Sequence, residues 1–149
     1  MQSTPPPRAC LRRGLTLIEM SVVILVLLTL VSVLFMAAQS WKRGSDRAAC
    51  IITLRNVQVA VRSYQNLYGY NQGGHPYAEY GTQDIARHLM EKGYIEQDLY
   101  KTAIGQKTCS GGGTYQRQSP DVFPLSGVLY AQCSLAAGAN HVPTNASDW

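Results

Sequence analysis

The residues that could carry chemistry are three histidines, four cysteines, a glycine triplet and one carboxylate set inside an apolar run. His75, His88 and His141 stand at no metal-ligand spacing from one another and read as surface histidines. The cysteines form no Cys-x-x-Cys pair, which argues against a zinc ribbon or a thioredoxin-type redox site. Gly111-Gly112-Gly113 lacks the following Gly-Lys-Ser/Thr of a phosphate cradle, and a glycine turn ahead of a strand is its simpler use. With no Gly-x-Ser-x-Gly elbow and no Cys/His nucleophile pair, the chain is not expected to be an enzyme, and no cofactor or metal is expected. Glu19 is the residue whose setting demands an explanation. A central acidic residue costs ~2.5 to 3.5 kcal/mol on membrane-insertion scales, so it should persist only with a partner.

That setting is a segment without other charge. From Leu15 to Trp41 the only ionisable side chain is Glu19, and the nineteen residues Met20 to Ala38 are polar only at the hydroxyls of Ser21, Thr29 and Ser32. As a helix the run spans roughly 28 Å, about the thickness of bilayer hydrocarbon. The alternative is a buried core helix, but a chain of 149 residues is too small to cover such a helix on every side. Arg8, Arg12, Arg13 and the amino terminus precede the span against Lys42 and Arg43 after it, a balance that leaves the N-terminus cytoplasmic. Phe35-Met36-Ala37-Ala38 is a poor site for ordinary signal removal, and the apolar run is long for a twin-arginine signal at Arg12-Arg13.

Charge is segregated too. Residues 1–14 hold three of the thirteen basic residues, so without them ten basic face nine acidic, a net of +1. The pI near 9.0 is therefore no argument for a nucleic-acid surface.

Arg12-Arg13-Gly14-Leu15-Thr16-Leu17-Ile18-Glu19, with the apolar run that follows, resembles the processing site of type IV prepilins and type II secretion pseudopilins. The resemblance implies a prepilin peptidase that cuts between Gly14 and Leu15 and methylates the new amino terminus, making Glu19 the fifth residue of the mature chain. It implies further partners: other pilin or pseudopilin subunits, an inner-membrane assembly platform and membrane lipid. Nucleic acid enters only if the filament serves DNA uptake. Glu19 then faces the amine of Leu15 on its own helix or on an axially shifted neighbour. Otherwise it is an interfacial residue that snorkels to headgroups beside Arg12 and Arg13. Many filament pilins carry a proline or glycine partway along this segment, whereas this chain has neither between Leu15 and Arg43. That departure is compatible with a pseudopilin or minor pilin.

Beyond the span, Ile51, Leu54, Val57, Val61, Tyr64 and Tyr68 recur at steps of three or four, one apolar stripe whose other faces carry Arg55, Gln58, Arg62 and Gln65. A single helix from Leu15 to about Tyr68, bending near Gly44, would carry both patterns. The expected organisation is a leader at 1–14, a hydrophobic transmembrane and assembly helix at 15–41, an amphipathic continuation at 42–68 and a small C-terminal region at 69–149. Gly69 to Tyr80 reads as loop, and Ile85, Leu89 and Met90, with Thr82 or Asp84 as cap and Gly93 as stop, read as a short helix. The nine tyrosines and Trp41 are expected to pack the small domain or sit at the membrane interface.

Thr114 to Gln116 and Val128 to Gln132 are the expected strands of a hairpin, flanked by Cys109 and Cys133. A disulfide between Cys109 and Cys133 is expected, with Cys50 left as a buried helix thiol; Cys50 bonded to either of the others is the alternative. Cys109-Ser110-Gly111-Gly112-Gly113-Thr114-Tyr115 followed by Cys133-Ser134 also looks like the terminal region of some pilin-like proteins. The acidic calcium-binding loop of major pseudopilins has no counterpart, since Asp121 and Asp148 are isolated. The fold class expected is α+β and pilin-like, a long N-terminal helix packed on a small antiparallel sheet. The expected function is a structural subunit of a type IV pilus-like or type II secretion filament, single-pass in the bacterial inner membrane with its C-terminal domain extracytoplasmic. The alternative is a membrane-anchored extracytoplasmic binding or sensing domain that never assembles.

Overall fold

The computed structural model describes residues 16–147 and Trp149. Contacts divide the chain after Ser40 into an N-terminal unit and a unit from Trp41 to Trp149. The fold is α+β: a long N-terminal helix, α1 (Leu17–Tyr68), then α2 (Ile85–Glu91), α3 (Gln97–Ala103), β1 (Tyr115–Arg117), β2 (Ala131–Cys133) and α4 (Ala136–Ala139). No proline interrupts α1, and Gly44 is its one glycine. It stops at Gly69, whose φ of +68° an L side chain resists. The Tyr70 amide then closes the end on Gln65 O at 3.0 Å.

In the second unit α1 buries Cys50, Leu54, Val57, Gln58, Ala60, Val61, Tyr64 and Gln65. The apolar stripe thus begins at Cys50, while Ile51 is half-buried and Tyr68 is exposed. Gln58 and Gln65, expected on the outer faces, are 1% and 3% exposed, and Arg62 is half-buried. Their burial has a cause in the backbone they meet. Gln58 donates to Val128 O at 3.1 Å and accepts from the Tyr130 amide at 2.8 Å. Arg62 donates to the carbonyls of Pro124, Leu125 and Trp149. One stripe of the helix therefore satisfies loop backbone that has no strand to pair with. This also explains why β2 is shorter than the expected strand from Val128: a glutamine side chain occupies the backbone groups that a neighbouring strand would otherwise bond.

The strands are three residues each and antiparallel, with Tyr115 opposite Cys133 and Arg117 opposite Ala131. They cover the Cys50 end of the stripe. Farther along α1, Tyr64 is fully buried in a cluster with Tyr70, Tyr94, Phe123 and His88, ring centroids 5.6 to 6.1 Å away. Asp84 caps α2 by accepting from the Ala86 amide at 2.9 Å, and Arg117 of β1 ties it down at 2.7 Å. The segment around Glu96, ambiguous in sequence, forms the helix α3.

Candidate functional site

The N-terminal unit offers a surface. From Leu17 to Met36 every large apolar side chain of α1 is exposed, Leu25 at 64% and Leu34 at 68%. Among the described residues this is the one helix long and apolar enough to cross a membrane. Its hydroxyls make no polar demand on their surroundings, because Ser21 donates to Ile18 O, Thr29 to Val26 O and Ser32 to Leu28 O, all at 2.8 to 2.9 Å. A surface of this kind is stable only against lipid or other helices.

Glu19 lies at the start of that surface, and the structure gives it a partner within its own chain. The Thr16 amide and hydroxyl donate to Glu19 Oε2 at 2.9 and 3.0 Å, and the Glu19 amide donates back to Thr16 Oγ1 at 3.3 Å. This reciprocal pair is a capping box. Thr16-Leu17-Ile18-Glu19 ahead of an apolar run is its sequence signal. Gly14 and Leu15, the residues of the expected cut, lie outside the described residues.

The second unit holds the other residues singled out. Cys109 sits in a tight turn before β1, where its amide donates to Gly113 O at 2.7 Å and its carbonyl accepts from Gly112 at 2.8 Å. Cys133 ends β2. The structure brings these two together as expected, but the sulfurs are 3.6 Å apart and both thiols are free, against about 2.05 Å for a disulfide. The expected disulfide is therefore not formed in this structure. Two further donors share the pocket, so no pair of sulfurs is singled out. Cys50 of α1 is fully buried there, and His141 Nδ1 lies 3.6 Å from Cys109 Sγ.

The three cysteines differ in local electrostatics. Burial pushes the Cys109 thiol up, but the amides of Gly113 and Gly111 directed at its sulfur, together with the Cys133 and Cys50 side chains, outweigh it and hold the thiol below its ordinary value. Burial dominates at Cys133, whose thiol is raised despite the Leu135 amide, and at Cys50, pushed up to about 12. Of the histidines expected at the surface, only His75 is exposed. His88 and His141 are 0% and 4% exposed. His88 is a satisfied core residue: its Nε2–H donates to Thr82 O at 2.9 Å, and Nδ1 accepts from the Tyr64 hydroxyl at 3.2 Å. His141 returns to the cysteine pocket after Asn140, whose left-handed φ of 54° turns the chain. No protein-family model, curated protein or solved structure matches the chain.

Proposed function

We propose that the chain is a structural subunit, a pilin or pseudopilin of the minor kind, in a type IV pilus-like or type II secretion filament. The observation that carries this reading is the exposed apolar surface of α1, which follows a basic leader and a glycine and carries a carboxylate near its start, at the spacing of a prepilin processing site. A prepilin peptidase cuts after Gly14. The mature helix crosses the bacterial inner membrane once, and the assembly platform then draws it out to pack among identical or related helices. The apolar side chains from Met20 to Ala38 supply non-directional cohesion, and Glu19, near the new amino terminus, supplies register through the amine of Leu15 on a neighbour. The second unit, Trp41 to Trp149, lies outside the membrane.

The capping box favours one second reading, a plain anchor with an extracytoplasmic binding or sensing domain, because Thr16 already satisfies Glu19 without a neighbour. Intact-mass measurement on protein from membranes with an active prepilin peptidase separates the two. A chain beginning at N-methylated Leu15 is expected for the subunit. A chain that keeps Met1 to Gly14 would leave only the anchor.

A further inference from the structure

The cysteine pocket is explained by neither reading. We propose that Cys50, Cys109, Cys133 and His141 form a structural zinc site, a four-coordinate Cys3His centre that joins α1 to the turn before β1, the end of β2 and the segment after α4. The inference concerns the second unit alone and holds whether or not the chain polymerises.

The donor geometry is the first support. The three sulfurs and an imidazole nitrogen all lie within 4.8 Å of one another, and all four residues are buried. With Zn–S near 2.3 Å and Zn–N near 2.0 to 2.1 Å, the edges of a tetrahedron come to roughly 3.5 to 3.8 Å. Two edges already have that length: Cys109 Sγ to Cys133 Sγ and Cys109 Sγ to His141 Nδ1, each 3.6 Å. A disulfide would use two of the four donors and leave a buried thiol and a buried imidazole facing it. A metal uses all four. Three thiolates and one imidazole are a soft, tetrahedral donor set, which suits zinc over calcium or magnesium.

The backbone is the second support. Cys109 and Cys133 each have the amide two residues on directed at the sulfur, Gly111 for Cys109 and Leu135 for Cys133, and Gly113 adds a second amide to Cys109. Such N–H groups stabilise thiolate ligands in the shell behind a metal. They also offset the single net negative charge of three thiolates around Zn2+. The glycines make this approach possible. A Cβ at Gly111 would lie 2.6 Å from His141 Cε1, and one at Gly113 would lie 2.7 Å from Leu135 Cγ and 3.0 Å from Cys133 Sγ. The glycine triplet thus lets a turn close around the donors.

Binding is an exchange without redox change: hydrated Zn2+ releases its waters and forms three Zn–S bonds and one Zn–N bond, and three thiol protons leave to solvent. Four protein ligands leave no open position, so the site is structural and offers no place for a substrate.

The test uses the full chain, purified from membranes in detergent and not exposed to chelator. Elemental analysis is expected to give about one zinc per chain. All three thiols should resist alkylation until zinc is chelated, and Co2+ substitution should give the visible absorption of tetrahedral cobalt with thiolate charge transfer. Cys50→Ser and His141→Ala should each cut zinc content severalfold or more. Because those variants could fail to fold, the wild-type metal content and alkylation pattern decide by themselves. Zinc at background overturns the site, whether peptide mapping finds Cys109 bonded to Cys133 or all three thiols free. The intact mass of the same sample reports the Gly14 cut separately, so failure of the zinc site and failure of the filament reading are distinguishable.

Discussion

The two halves of α1 are the same element under opposite rules. In its first half apolar side chains are exposed and the few polar groups bond their own helix. In its second half Gln58, Gln65 and Arg62 turn inward: Gln58 and Arg62 bond distant loops, and Gln65 bonds Tyr70 O just past the helix end. Burial is therefore set by partners rather than by polarity. The second unit supplies carbonyls and amides for buried polar side chains, whereas the first half needs a partner from outside the chain.

If that contrast holds, the largest effect belongs to the aromatic cluster. Tyr64→Ala removes a fully buried ring that contacts Tyr70, Tyr94, Phe123 and His88, and should cost about 3 to 5 kcal/mol in denaturant unfolding of the second unit. Gln58→Leu keeps bulk but orphans Val128 O and the Tyr130 amide, at about 1 to 3 kcal/mol for each group left without a partner. A loss under 0.5 kcal/mol would mean that water replaces the glutamine and would weaken the comparison.

Alkaline pH probes the same interior. Burial raises the Tyr130 hydroxyl to about 12 against an ordinary 10.0, more than the opposing pull of Arg117. A folded value above the unfolded one means that this stability is intact below pH 10 and is lost as pH rises from about 10 to about 12. Two units correspond to about 2 to 3 kcal/mol. The unfolding midpoint should fall across that window, and Tyr130→Phe should fall less steeply. The smallest effect belongs to the other half of α1. Thr16→Ala removes the cap of Glu19 and should lower helix content at that end by an amount worth about 1 kcal/mol, with no change in unfolding of the second unit.

The sequence made some of this legible. The membrane-length segment follows from composition, because nineteen residues without charge leave few choices. The helix at Ile85 to Glu91 follows from Asp84 and Gly93, local signals that act within one turn. Gln58 and Arg62 were misplaced because periodicity assigns a face by polarity, and their partners lie 62 to 87 positions away. The burial of Cys50 on α1 is legible in sequence, since Cys50, Leu54, Val57 and Val61 keep the same steps. Its meeting with His141 is not, because spacing rules for ligands assume neighbours in sequence, and here loop closure over most of the second unit brings the donors together.

The filament reading turns on whether exposed apolar surface and Glu19 find their partners in other subunits. Wild-type and Glu19→Leu chains can be co-expressed, the filaments sheared off, and each form quantified by mass in the filament fraction. The variant keeps bulk and helix propensity, so it should enter the membrane and be processed at Gly14, yet be depleted severalfold from filaments. Equal incorporation of the two forms would reduce Glu19 to the cap of its own helix, and absence of both would leave the anchored domain.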